Sequence, residues 1–348
     1  MRRPAIIALG LLALLPVPAS AGDVVLNETG STLLYPLFQL WIPDYARATP
    51  NVSLTAAATG SGAGIAAAIS GSARIGASDA YMSDEEAKQH PAIVNIPLAI
   101  AAQTVNYNLP GLNDAGLRLD GSTLAGIYAG TITTWDARAI AALNPALKLP
   151  HQPIVPIRRD DASGDTFIFT QFLDFSTPSW EDKIGYGTTV AWPQVEGERV
   201  AAGNEGMVET LAETPYSVAY IGISFHEAIV KAELGTALLG NQSGKFLLPT
   251  AATIDAAASA LDARTPPDER LTLVFAPGDQ SYPLVNYEYA VMSTRQADPA
   301  GAAALRDFLL WAIAREGGNA PKYLDHVGFI PLPDFVRALS EKQIALIK

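Results

Sequence analysis

Apolar and polar positions along the chain alternate between two periods, short apolar runs giving way to segments with helical spacing. Residues 23–28 predict a strand, and 33–41 predict a helix with Pro36 in its first turn, where a missing N–H costs little. Val52-Ser53-Leu54-Thr55-Ala56 alternates as a strand and leads to an Ala-rich helix over 65–70. Residues 74–80 predict a short buried strand ending at Asp79, and Ser83 with Glu86 has capping-box spacing before an acidic helix. The long apolar run 96–108 predicts a strand passing between domains.

Further on, helices are predicted over 120–130 and 133–143, a strand over 154–157 and a helix from Phe167. Residues 176–206 read as loop with short elements. Helices are predicted over 205–213, 224–230 and 251–261, with strands over 217–221, 271–275 and 284–292. Leu305, Phe308, Leu309, Ala312 and Ile313 share one helical face, and a final helix spans 333–346. Strands alternating with helices predict an α/β protein with mixed, mostly parallel sheets flanked by helices. No internal repeat is evident.

Three junctions repeat one pattern, in which a strand is followed by small polar residues and then by a helix start. They are Thr29-Gly30-Ser31-Thr32, Thr59-Gly60-Ser61-Gly62-Ala63-Gly64, and Arg159-Asp160-Asp161-Ala162-Ser163-Gly164-Asp165. A helix N-terminus has backbone N–H groups without partners and a dipole that favours negative charge. Each junction alone is equally an ordinary capped helix start. The glycine-rich second junction lacks the Lys-Ser or Lys-Thr of a P-loop, and Ile65 stands where a dinucleotide fingerprint wants glycine.

Length and composition narrow the picture. At 348 residues two domains are the default, and 49% hydrophobic with 17% charged residues suits a packed globular protein. Residues 1–21 have the layout of a secretory signal: Arg2 and Arg3, an apolar core over 6–15, and Ala19-Ser20-Ala21 before a cleavage site. The sequence has no cysteine, which excludes disulfides, thiolate chemistry and a lipid-modified thiol. A protein of the bacterial periplasm fits best. Cleavage removes two of 23 basic residues and leaves 21 against 35 acidic ones, a net charge of −14. Such a surface repels nucleic acid, and an anion site must rest on local dipoles and short-range hydrogen bonds.

Enzymatic chemistry finds little support. His90, His151, His226 and His326 are scattered, and neither an HExxH motif nor a G-x-S-x-G elbow occurs. No EF-hand pattern or other metal set is present, and no cofactor is implied. A binding role needs only three helix starts converging on one anion. Asp79 then selects the ligand, because an ionised carboxylate only accepts hydrogen bonds. Phosphate near neutral pH can donate a proton to it; sulfate cannot.

Gly30-Ser31-Thr32-Leu33, Thr59-Gly60-Ser61-Gly62-Ala63-Gly64, Gly76-Ala77-Ser78-Asp79 and Arg159-x3-Ser163-Gly164 together resemble the ligand loops of PstS, the periplasmic phosphate-binding protein family of phosphate ABC transporters, mycobacterial-type members above all. Thr133-Thr134-Trp135-Asp136 and Val218-Ala219-Tyr220-Ile221-Gly222 resemble further family segments. The resemblance implies a two-lobed periplasmic-binding-protein fold of type II-like architecture, with the ligand in the interdomain cleft. It implies lobes of 22–102 plus 287–348 and of 103–286, with crossings near Ala102 and Asn286.

It also implies high-affinity phosphate binding by Ser31, Thr32, Leu33, Ser61 and Asp79 from one lobe, and by Arg159, Ser163, Gly164 and Asp165 from the other. The resemblance points to a monomer that is not an enzyme, that lacks a membrane anchor, and that delivers phosphate to permease subunits. An exported phosphatase-like hydrolase, or a receptor for another oxyanion such as arsenate, are the competing readings. Asp165 stands where many members have Thr. It is either a second proton acceptor that favours monobasic phosphate, or the partner of Arg158 or Arg159.

Overall fold

The computed structural model describes residues 24–348, so the leader expected at 1–21 lies outside the described residues. The chain begins with β1 (Val24–Gly30), α1 (Tyr35–Ala48), β2 (Val52–Thr55), α2 (Ser61–Ser70), β3 (Ile75–Ser78) and α3 (Asp84–Gln89). β4 (Ile93–Asn108) follows, and then β5 (Arg118–Leu119), α4 (Gly121–Tyr128), α5 (Arg138–Leu143) and β6 (Val155–Arg159). Next come α6 (Gly164–Ser176), α7 (Pro178–Glu181), β7 (Arg199–Ala201), α8 (Gly203–Glu213) and β8 (Ser217–Gly222). α9 (His226–Lys231), β9 (Gly235–Thr236), β10 (Leu238–Gly240), β11 (Phe246–Leu247) and α10 (Ala251–Ser259) lead to β12 (Val285–Ser293). α11 (Pro299–Ile313), α12 (Pro321–Val327) and α13 (Asp334–Ile344) close the chain.

The main sheet runs in the order β2-β1-β3-β12-β4-β8-β6-β7, with β9 also on β4. Parallel pairs (β1 with β2 and β3, β6 with β7 and β8) build its two ends. Antiparallel pairs join them through β12 and β4. β4 pairs with β12 from Ile93 to Ala102 and with β8 from Gln103 to Asn108, so one strand serves both lobes and changes partner between Ala102 and Gln103. Its residues from Asn95 to Tyr107 are all buried, which is why the sequence reads as an unbroken apolar run instead of an alternating one.

In α1, Leu37, Phe38, Trp41 and Tyr45 form the buried face. Trp41 and Tyr45 meet Phe308 of α11 at ring centroid distances of 6.1 and 5.1 Å, and the Trp41 indole donates to Gly318 O at 3.0 Å. α6 is buried on every side from Gly164 to Asp174, the signature of a helix packed between layers.

Two expected elements differ. Residues 271–275 form no strand. Their polar groups bond locally: the Val274 amide to Thr272 Oγ1, the Phe275 amide to Pro283 O, and the Tyr289 hydroxyl to Leu271 O. The helix expected from Thr133 begins only at Arg138, because Thr134 forms a β-bridge with Pro153 and the Trp135 amide donates to Gln152 O. The stretch 262–275 packs towards the last helix, where the buried Glu269 carboxyl accepts from Ser340 Oγ at 2.6 Å and Gln343 Nε2 at 2.7 Å.

Candidate anion-binding site

The three junctions come together where strands β1, β3 and β6 end. β1 stops at Gly30 and the chain turns at Ser31, whose Oγ accepts the Leu34 amide at 2.9 Å and donates to Asp79 Oδ1. Ser61 opens α2 behind Gly60, which takes φ +92°, a backbone that favours glycine. Ser61 Oγ donates to Asp79 Oδ2 at 3.2 Å and accepts the Asp79 amide at 3.1 Å. Asp79 is thus gripped by two hydroxyls from two helix starts. Asn286 of β12 secures it from below by donating to the Asp79 carbonyl.

From the other lobe, Arg159 ends β6. Its Nη1 donates to Asp165 Oδ2 at 2.8 Å, its Nε to Asp161 Oδ1 at 2.6 Å, and its Nη2 to Asp161 Oδ2. Ser163 caps α6 by accepting the Thr166 amide at 3.2 Å. Gly164 allows that first turn to lie against the first lobe: a Cβ placed there would stand 2.6 Å from the Asp79 Cβ. The Gly62 amide donates to Ala162 O at 2.9 Å, another contact between the lobes.

All nine residues expected at the site are buried, and eight of them gather around Asp79 and Arg159. Leu33 packs its side chain on Gly222, and its carbonyl accepts from Ser224 Oγ at 2.7 Å. Thr32 Oγ1 accepts from Asn204 Nδ2 at 2.9 Å. Both Asp165 oxygens meet protein donors, Oδ1 from Gln103 Nε2 at 3.0 Å and Oδ2 from Arg159 and from Asn204 Nδ2 at 2.7 Å. Of the two roles expected for Asp165, the geometry is that of the partner of Arg159. Arg158 turns away to Glu198 at 2.8 Å.

Burial pushes the Asp79 carboxyl above its ordinary value, against the Ser31, Ser61 and Arg159 contacts that pull it down. Burial, with the Asp79 charge adding to it, pushes Asp165 up to about 6 although Arg159 opposes the shift. Burial works against the Arg159 charge as well, but Asp161 and Asp165 outweigh it and hold the guanidinium protonated. One cation among Asp79, Asp161 and Asp165 leaves the site locally negative. An anion there depends on the first-turn amides of α2 and α6 and on hydroxyl donors, not on net charge. Among the described residues, no group of three or more acidic, His or Cys side chains gathers in a way that could hold a metal ion.

Reasoning from sequence missed Asn204, Asp161, Gln103 and Asn286. Asn204 had a readable signal. Ala202-Gly203-Asn204 follows β7 and opens α8, a fourth junction of the same type, with Gly203 at φ +64°. Gln103 and Asn286 sit inside strands and carry no local signal. Along the rim between the lobes runs a groove of about 860 Å³, bounded on the clamp side by Thr32, Asp161 and Asn204.

The model of the PBP superfamily domain matches residues 17–316. The phosphate-binding protein PstS of Methanocaldococcus jannaschii is 33% identical over 98% of this chain and 95% of its own length. A phosphate-binding PstS of Mycobacterium leprae is 30% identical over 90% of this chain and 84% of its own. A high-affinity periplasmic phosphate-binding protein solved with phosphate superposes with a TM-score of 0.72 at 22% identity, covering 91% of this chain and 92% of that one. That likeness shows the shared two-lobed fold.

Proposed function

The chain belongs to the PBP superfamily and, within it, to the family of the phosphate-binding protein PstS, and from that premise we propose that it binds inorganic phosphate and delivers it to the permease of an ABC transporter. It is a binding protein, not an enzyme. Asp79 is the observation that carries the ligand assignment: a buried carboxyl with two hydroxyl donors, set where helix starts from both lobes meet. In this reading Asp79 accepts the proton of a phosphate hydroxyl. As the ligand's hydroxyl takes its place on Asp79, the Ser31 and Ser61 hydroxyls turn to the ligand and, with Thr32 and the Leu33 amide, donate from the first lobe. Arg159, Ser163, Gly164 and the Asp165 amide donate from the second, and the Asp165 carboxylate orients Arg159.

The lobes divide as 22–102 plus 287–348 and 103–286, with the 262–275 stretch leaning on α13 of the first lobe. Closure is a hinge motion about β4 and β12, and phosphate stabilises the closed form. Residues 1–21 act as the export leader. The mature monomer works in the periplasm without a lipid anchor, consistent with a sequence free of cysteine. Among the described residues no helix is long and apolar enough to cross a membrane.

Calorimetric titration of phosphate-free protein with phosphate, sulfate and arsenate tests the reading. Tight phosphate binding with no detectable sulfate binding is expected. Tight sulfate binding, or turnover of a phosphoester, overturns it.

A further inference from the structure

Asn286 and Glu288 pair across β12 and β4 with Ala101 and Ala99, and Gln103 lies two residues beyond Ala101. Cross-strand partners share a face, and so do residues two apart, so Gln103, Asn286 and Glu288 form one row on the side of the sheet that carries the clamp. Gln103 reaches Asp165, and Asn286 reaches the Asp79 carbonyl. Glu288 is the member of the row that the phosphate reading leaves without a task.

Glu288 is fully buried, and neither of its oxygens meets a donor. What faces them within hydrogen-bonding range is the Asp79 carboxyl. Two ionised carboxylates are both acceptors and cannot bond each other. The contact is attractive only if one of them carries a proton, as in other buried carboxyl pairs. The surroundings decide which. Asp79 has the Ser31 and Ser61 hydroxyls and the nearby Arg159 charge to favour its ionised form. Glu288 has none of these.

Burial, Asp79 and Asp165 all push its proton on. Opposite it on β4 stands Ala99, α2 brings Ser61 to the Asp79 carboxyl, and the elements packed on β12 (β3, β4, α2 and α10) carry no Lys, Arg or His. The amide oxygens Gln103 Oε1 and Asn286 Oδ1 in the same row also lack donors and add to the cost of a second negative charge.

We propose that Glu288 is a positioning residue of the clamp, keeping its proton at neutral pH and donating it to Asp79, so that Asp79 stays ionised and fixed to accept the ligand's hydroxyl. This rests on the phosphate reading of the same site. Binding then depends on the protonated form of Glu288, and phosphate affinity declines on the alkaline side for a reason separate from the ionisation of phosphate itself.

Two measurements on the full mature chain separate the inference from its premise. Infrared spectra of wild type and Glu288→Gln, taken without phosphate at neutral pH, read the proton directly. Their difference spectrum is expected to show a protonated-carboxyl band of the wild type, beyond that of Glu28, which the variant lacks. Phosphate calorimetry from neutral pH to about pH 9 reads its consequence, because the wild-type to variant ratio cancels ligand ionisation. Glu288→Gln keeps a donor and is expected to bind within a few-fold of wild type at neutral pH, and to lose up to about tenfold per pH unit less once Glu288 ionises. Glu288→Leu, checked for folding by its thermal melt, is expected to bind at least about tenfold more weakly at neutral pH.

A missing band, a steeper alkaline loss of affinity in Glu288→Gln than in wild type, or wild-type affinity in Glu288→Leu overturns the inference. A wild type that binds no phosphate while showing the band overturns the phosphate reading instead.

Discussion

Arg159 Nη1 donates to Asp165 Oδ2 at 2.8 Å, with both side chains only 1% exposed. The pair is fully desolvated, so its value lies in the direction it gives the guanidinium more than in net stability. Asp161 takes the Nε and Nη2 edge, and together the two carboxylates fix the plane of the fork.

Replacing Asp165 by Thr tests that role. The variant loses one arm of the fork and the acceptor for Gln103 and Asn204, and its phosphate affinity is expected to fall roughly ten- to hundredfold, or about 1–3 kcal/mol. Its preference between monobasic and dibasic phosphate is expected to stay that of wild type, because both Asp165 oxygens are already engaged by protein donors. Calorimetry at several pH values checks both statements. A shift of preference towards the dibasic ion would make Asp165 a proton acceptor for the ligand.

Asn204 joins the lobes. Its Nδ2 donates to Thr32 Oγ1 and Asp165 Oδ2, and its Oδ1 accepts the Gly222 amide at 2.8 Å. Asn204→Ala leaves three buried groups short of a partner, at about 1–3 kcal/mol each where no water replaces it. Phosphate affinity is expected to drop at least about tenfold, mainly through faster release, since the tie forms on closure. Stopped-flow fluorescence reads that rate from the tryptophans. An unchanged dissociation rate counts against Asn204 as a closing tie.

How much of this was legible beforehand follows from where the information sits. Ser31, Ser61 and Ser163 could be read because a strand, a small polar run and a helix start are contiguous in sequence, and the Ser31 and Ser163 hydroxyls each accept an amide three residues on as well. Asp79 could be read from its place at the end of β3. Gln103, Asn286 and Glu288 could not, since their common face exists only once β4 and β12 pair in register. The sequence leaves both roles of Asp165 open for the same reason, as Gln103 and Asn204 reach it from 62 and 39 residues away. The apolar 271–275 run misled because its backbone groups are satisfied by Thr272, Pro283 and Tyr289 in place of a strand ladder.

Asp79→Asn addresses selectivity. The substitution removes the acceptor charge that rejects an anion without a proton, while an amide can still accept from Ser31 or Ser61. Sulfate binding is expected to appear, and the gap between phosphate and sulfate to shrink by at least about tenfold. Competition calorimetry reads the gap. If it stays as wide as in wild type, discrimination rests on the donors and not on Asp79.

Glu28 lies inside β1, 3% exposed, and no hydrogen bond of good geometry reaches either carboxyl oxygen. Burial raises it from 4.5 to about 8, and the Ala57 backbone nearby offsets only part of the shift. The folded protein therefore keeps this proton while the unfolded chain releases it above its ordinary value of 4.5. Where the native state binds more protons, stability falls as pH rises. The Glu28 contribution is fully present below 4.5, declines across 4.5 to about 8 at up to ~1.4 kcal/mol per pH unit, and levels off above.

Glu28→Gln removes this slope without changing the shape of the side chain. Denaturant midpoints of the two proteins are expected to lie close together in mild acid and to separate in favour of the variant as pH approaches 8. Because every other titrating group is common to both, parallel profiles would mean that Glu28 is ionised in the fold and has a partner that supports its charge.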